Sequence, residues 1–270
     1  MSESDKVFAG LIPDIYDEFL VPLIFEFYAE DLARRVADLG PNRVLETAAG
    51  SGVVTRALAP LLREKTRIVV TDLNQPMLDR AASRQPDDDR VTWQQADALD
   101  LPFDNSCFDV VCCQFGVMFF PDRVAGYRAA RRVLRDGGHF IFNTWDRIEE
   151  NEFARSVTDT VSRLFPDTPP RFLARTPHGY HDVARIDADL RRAGFRTVEI
   201  HTIATESRAE SPEIPAKAYC QGTPLRNELE AREGASVEEI TEVASRDIAA
   251  AFGAGPVSGK IQGHVVVATG

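Results

Sequence analysis

Three acids and a pair of glycines carry the chemistry of this sequence. Glu46-Thr47-Ala48-Ala49-Gly50-Ser51-Gly52 follows the apolar Val44-Leu45 and leads into a helical pattern from Val53. Two glycines one residue apart, between strand and helix, let the chain turn tightly and let a ligand approach with no Cβ in the way. The helix behind them offers free N–H groups. The acid in the turn disfavours a pyrophosphate and suits a ligand that carries positive charge. Asp72 closes the next apolar run, Arg67 to Thr71, where one carboxylate can accept from both hydroxyls of a ribose. Asp97 follows Val91 to Gln95 and can accept from an exocyclic amine. Each acid alone reads equally well as a strand-end or cap residue. Their order along successive strand ends is what makes them one site.

The elements that must position these residues alternate. Pro13 to Leu39 reads as helix, with a break expected near Pro22. Strands are expected at 43–47, 67–71, 91–95, 108–114 and 139–145, with helices at 53–63, 75–84 and 122–134 between them. Strands that are apolar on both faces indicate a parallel sheet covered on both sides. The expected architecture is α/β: a doubly wound sheet whose ligand site lies beyond the carboxyl ends of the strands. After Trp145 the pattern changes. Helices are expected at 152–164, 181–193, 215–233 and 236–252, with a proline-rich loop at 166–177 and strands at 195–203 and 260–268. Ser236 with Glu239 reads as a capping box, and Val237, Ile240, Ala244, Ile248 and Ala251 read as one apolar face.

Composition removes several classes. The 270 residues are 44% hydrophobic and 27% charged, ordinary globular values that exclude a disordered or collagen-like chain. A net charge of −11 argues against nucleic acid as partner. Four cysteines, Cys107, Cys112, Cys113 and Cys220, have neither disulfide-framework nor zinc spacing, so no metal is expected. The start, Met1-Ser2-Glu3-Ser4-Asp5, lacks the features of a signal peptide, and no apolar run spans a bilayer. A cytoplasmic protein is expected.

From Arg43 to Trp145 the chain resembles the class I S-adenosylmethionine-dependent methyltransferases, of the small-molecule, ubiquinone- and menaquinone-biosynthesis-like kind. Val44 to Gly52 resembles the family's glycine-rich first motif, Val70-Thr71-Asp72-Leu73-Asn74 the second, and Gln95-Ala96-Asp97-Ala98 the third. Phe103 to Val111 is similar to the stretch entering the fourth strand, and Val133 to Gly138 to the turn before the fifth. The resemblance implies a seven-stranded, mostly parallel, Rossmann-like methyltransferase sheet with helical cap insertions. It implies S-adenosyl-L-methionine as cofactor and S-adenosyl-L-homocysteine as product. It assigns Glu46, Gly50 and Gly52 to the methionine end, Asp72 to the ribose, and Met77 and Asp97 to the adenine, with Ala48, Leu73 and Ala98 as further cofactor-binding residues. Gln114 and Phe115 then stand where the family places residues between cofactor and acceptor. Two departures stand out. Ala48-Ala49 occupies places where glycine is common in the family. Gln114-Phe115-Gly116-Val117 replaces the Asn/Asp-Pro-Pro-Tyr/Phe pattern of amino-group methyltransferases acting on nucleic acids and protein glutamine.

A small or lipid-like acceptor, methylated on oxygen or carbon, is the expectation, with the protein a monomer or homodimer. Direct displacement at a sulfonium asks mainly for alignment and exclusion of water. A base is needed only where the acceptor loses a proton. His181, His178 and Tyr16 are the candidates for that side of the site. Residues 1–42 are expected as an N-terminal helical lid, 43–204 and 256–270 as the core with an insertion at 146–181, and 205–255 as a helical cap. Two other classes compete. A nicotinamide-dependent oxidoreductase shares the glycine turn and Asp72, but G-x-G-x-x-G needs glycine where Thr55 stands. A non-catalytic, cofactor-binding regulatory or assembly protein would keep the same acids.

Overall fold

The computed structural model describes residues 12–270; the part of the expected lid before residue 12 lies outside them. Its centre is one seven-stranded sheet in the order β3-β2-β1-β4-β5-β7-β6. The strands are β1 (Arg43–Glu46), β2 (Arg67–Asp72), β3 (Val91–Gln95), β4 (Phe108–Cys113), β5 (Leu134–Trp145), β6 (Thr197–Ala209) and β7 (Val257–Thr269). β1 pairs in parallel with β2 and β4, β2 with β3, and β4 with β5. β7 runs antiparallel to β6. Arg196 N–H donates to Thr269 O, and Thr202 meets His264 as the numbering falls along the partner strand. The sheet is therefore mostly parallel, as expected. The order reverses between β1 and β4, the place where such sheets open a crevice for ligands.

The chain divides into two compact units. The sheet unit comprises Glu26–Thr144, His181–Thr202 and His264–Gly270. Its helices are α2 (Glu26–Asp38), α3 (Val53–Leu58), α4 (Gln75–Arg84), α5 (Arg123–Val133) and α8 (Val183–Arg192). Val44, Leu45, Ile68, Val70, Val110 and Val111 are buried between these layers. Phe142 of β5 stacks on Tyr127 of α5, and Phe140 meets the same ring edge-on. Asp122 caps α5 by accepting from Ala125 N–H, and Asp182 caps α8 by accepting from Ala184 and Arg185 N–H.

The helical unit comprises the chain up to Phe25, Trp145–Tyr180 and Ile203–Gly263. It holds α1 (Ile12–Ile15), a π-helical segment (Tyr16–Phe25), α6 (Glu152–Leu164), α7 (Phe172–Arg175), α9 (Glu213–Gln221), α10 (Leu225–Glu230) and α11 (Val237–Phe252). Asp247 of α11 accepts from Thr160 and Arg163 of α6. Gln221 of α9 donates to Thr241 of α11. Glu228 accepts from the backbone N–H of Arg171 and from the Arg175 side chain, which fixes α7. The expected capping box at Ser236 and Glu239 is formed.

Several elements differ from the sequence reading; the helix expected at 215–233 is two, α9 and α10, and β6 runs on to Ala209. No break occurs at Pro22, which lies inside the π segment; the wider turn accommodates a ring that an α-turn would exclude. β5 begins at Leu134, five residues early, because the chain bridges Gly137-Gly138 as strand, with a register irregularity against β4. The proline-rich loop contains the short α7. Ala251 is exposed, so the apolar face of α11 ends at Ile248.

Candidate functional site

The carboxyl ends of β1, β2 and β4 are tied together by backbone hydrogen bonds. Thr47 N–H donates to Cys112 O at 2.9 Å and Ala49 N–H to Thr71 O at 3.0 Å. Ala96 N–H donates to Asp72 O at 3.0 Å, which brings the Asp97 segment to the end of β2. The turn after β1 is then wound by left-handed residues: Ala48 at φ 51°, Gly50 at 57° and Gly52 at 79°. Ala48 has a Cβ in a region that costs an L-residue roughly 1–2 kcal/mol. Gly52 is required twice over, because an added Cβ would lie 2.9 Å from Ala81 Cβ of α4. After β4 the chain makes a matching left-handed turn at Phe115, φ 49°. A Cβ on the following Gly116 would lie 2.5 Å from Ala48 Cβ, so the two strained turns meet at the switch point. Strain of this kind persists where surrounding structure over-determines it, and it clusters at functional sites.

Two carboxylates are buried here. Glu46 is packed out of water, accepts from Thr55 Oγ1 at 2.5 Å, and is pushed up to about 7 by desolvation. The Thr55 bond and the charge of Arg56 pull the other way. Asp72 Oδ2 accepts from Gly50 N–H and Oδ1 from Asn74 N–H, both at 2.8 Å. Burial still raises its pKa above the ordinary aspartate value, against those bonds. Burial and the neighbouring acids push the Cys112 thiol well up and Cys113 to about 12, so neither is a nucleophile. A well with unmet negative charge suits a cation, and free carboxylate lone pairs suit a diol. The residues therefore fit a ligand with an ammonium or sulfonium and a ribose.

The other expected cofactor residues fall as follows. Leu73 is 46% exposed beyond β2, an apolar surface open to a flat ring, whereas Met77 is 3% exposed and packed inside α4. Asp97 is exposed and accepts from Leu99 N–H; Ala98 beside it is half-buried. Gln114 is half-buried immediately after β4. Glu46, Ala48, Gly50, Gly52, Asp72, Leu73, Met77, Asp97, Ala98 and Gln114 all belong to the sheet unit.

The acceptor-side candidates are distributed differently. Tyr16 and His178 belong to the helical unit and His181 to the sheet unit. Tyr16 stacks on Phe25 at 5.2 Å. His178 is buried, its Nδ1 2.8 Å from Asp146 O and its ring beside Trp145. His181 is exposed next to the cap of α8. Among the described residues no group of three or more metal-type side chains comes together.

Sequence reading takes Thr55 only as a departure from the dinucleotide pattern and misses its bond to Glu46; it places Phe115 beside Gln114 but misses its left-handed backbone. Thr55 carried a signal: it is one polar residue on the buried face of a helix, nine residues after an acid. The left-handed Phe115 carried none.

The geometry agrees with what the chain is similar to. A family described as "Methyltransferase domain" matches residues 45–142. A demethylmenaquinone methyltransferase of Clavibacter sepedonicus is 30% identical over 175 residues, 62% of this chain and 70% of that protein. A ubiquinone/menaquinone biosynthesis C-methyltransferase of Ectopseudomonas mendocina is 30% identical over 60% of this chain and 68% of its own length. The chain belongs to the class I S-adenosylmethionine-dependent methyltransferases. A crystal structure of a Bacillus halodurans protein described as a methyltransferase shares the fold, with a TM-score of 0.57 at 19% identity, covering 89% of this chain and 97% of that one. This methyltransferase uses S-adenosylmethionine to methylate a small molecule, and neither the oxidoreductase nor the non-catalytic reading is favoured. No helix among the described residues is long and apolar enough to cross a membrane.

Proposed function

We propose that this enzyme methylates the ring of a hydroxylated, quinol-like aromatic acceptor, on carbon or on oxygen. The observation behind the cofactor half is the pair of buried carboxylates, Glu46 and Asp72, on either side of the glycine turn. The names of the two bacterial relatives support the acceptor half. When bound, S-adenosylmethionine supplies an electrophilic methyl on a sulfonium.

This chain's residues do the rest. Glu46 and the turn Ala48–Gly52 take the charged methionine end, Asp72 the ribose hydroxyls, and Leu73, Met77, Asp97 and Ala98 the adenine. Gln114 separates cofactor from acceptor. A cation beside Glu46 favours its ionised form, so binding draws a proton off that carboxyl. Affinity for a cationic ligand then rises with pH through about 7. Where the acceptor must lose a proton, His181 is the proposed taker, with His178 and Tyr16 as the other candidates. His181→Ala slows turnover in that case and leaves it unchanged if alignment alone suffices. A reducing cytoplasm suits the free thiols Cys107, Cys112, Cys113 and Cys220. The working form is a monomer or homodimer.

Calorimetric titration with S-adenosylhomocysteine and with NAD tests the reading. The expected outcome is binding of the first and none of the second. The reverse result overturns it.

A further inference from the structure

We propose that Asn143, on β5, is an acceptor-binding residue whose carboxamide takes a hydroxyl group of the molecule to be methylated. The inference rests on the cofactor reading of Glu46 and Asp72 given above.

Register places Asn143 at the edge where that site opens. Glu46 of β1 pairs with Val70 of β2 and Cys112 of β4, and Cys112 pairs with Ile141 of β5. These four share one row and one face of the sheet. Two residues further along each strand, on the same face, lie Asp72 on β2, the glycine turn after β1, Gln114 after β4, and Asn143 on β5. Phe140 and Phe142 settle which face this is, because their rings meet Tyr127 of α5 on the other side. β5 continues past Asn143, whereas β4 ends at Cys113, the partner of Phe142. Asn143 therefore stands in the carboxyl-edge row, two strands from the glycine turn, roughly 10 Å. A ligand held by its diol at β2 and by its charged chain after β1 presents its reacting end toward β4. The next strand is the acceptor's.

The chemistry of Asn143 is unusual for a structural residue. It is fully buried, and neither Oδ1 nor Nδ2 has a hydrogen-bond partner among the described residues. Buried amides that serve the fold are bonded. Asn151 is the local example: its Nδ2 donates to Asp146 O, Arg147 O and Gln262 O, and its Oδ1 accepts from Gln262 N–H. Asn143 also follows directly on the apolar run Phe140-Ile141-Phe142, on the same face as Ile141, where an aliphatic residue would pack without cost. One donor and one acceptor side by side, in a dry setting and with no charge, match a neutral hydroxyl, which both accepts and donates. They do not match an oxyanion alone, for which the amide oxygen would be repulsive.

The test uses protein loaded with S-adenosylhomocysteine, titrated calorimetrically and without oxygen with 1,4-dihydroxynaphthalene and with naphthalene. Wild-type protein is expected to prefer the dihydroxy compound by about tenfold, the worth of one or two neutral hydrogen bonds. Asn143→Leu, and Asn143→Val should the leucine variant not fold, are expected to lose that preference while keeping wild-type affinity for S-adenosylhomocysteine. A merely structural role does not move the ratio of the two affinities. Retention of the preference in a folded variant overturns the proposal, and so does failure of the wild-type protein to bind 1,4-dihydroxynaphthalene. Failure of the wild-type protein to bind S-adenosylhomocysteine overturns the cofactor reading instead.

Discussion

The two units of this enzyme treat polar groups in opposite ways. In the helical unit, the charged and amide side chains that join its elements are bonded for the fold. Asn151 joins the start of α6 to β7, Lys260 reaches Glu150, Gln262 reaches Asp146, and Asp247 holds two partners on α6. In the sheet unit, the polar groups at the strand ends are buried against their own interest. Glu46 and Asp72 are raised by desolvation, Ala48 and Phe115 sit in left-handed backbone, and Asn143 has no partner among the described residues. The comparison locates function. Uncompensated cost in an otherwise well-packed unit marks the groups that a ligand completes.

The contrast can be broken experimentally, most severely at the turn itself. Gly52→Val adds a Cβ to a left-handed position and drives it into Ala81. A loss of about 2–5 kcal/mol in urea unfolding is expected, and a wild-type midpoint would show that the turn is not held by α4. Next in size is Glu46→Gln. Glu46 is raised in the folded state, so the native protein binds more protons than the unfolded chain between the ordinary value, 4.5, and about 7. Its contribution to stability therefore falls as pH rises through that window, by about 3 kcal/mol in full. Glu46→Gln should flatten this dependence, gain up to about that amount near pH 8, and weaken S-adenosylhomocysteine binding. Parallel stability profiles for the two proteins would remove Glu46 from the set of strained groups.

Asp72→Ala should cost about 1.5–3 kcal/mol of S-adenosylhomocysteine affinity by calorimetry, from lost charge-assisted hydrogen bonds. Unchanged affinity in a folded variant would leave the ribose without its proposed partner. The smallest effect belongs to the other unit. Ser236→Ala removes the capping box of α11 and should lower stability by about 1 kcal/mol, with no change in S-adenosylhomocysteine affinity. A change there would mean that the helical unit's bonds also serve the cofactor.

Much of the sheet unit was legible in advance because its signals are local. A strand ending in an acid, a glycine pair and a helix start lie within a dozen residues of one another, and each strand end repeats the pattern. α4 and β3 were read to the residue, since Gln75-Pro76 opens one and the strand formers Val91-Thr92-Trp93 set the other. The helical unit was less legible. Its defining pairs, such as Asn151 with Gln262 and Arg163 with Asp247, join residues far apart in the chain. The early start of β5 was hidden because Gly137-Gly138 reads as a stop by composition, yet β4 pairs on both sides of them, with Leu134 and with His139, and the strand runs through the irregularity between.

The sequence by itself determined the fold class, the order of the acids along the strand ends and the charge of the ligand they suit. These follow from side-chain type and short-range spacing. Only the tertiary structure decided that Glu46 and Asp72 are desolvated enough to shift, that Ala48 meets Gly116 across the switch point, that Leu73 rather than Met77 is open, and that Asn143 shares the row of Asp72. Desolvation, strain and register are properties of neighbours brought together from distant parts of the chain, and no single stretch of residues encodes them.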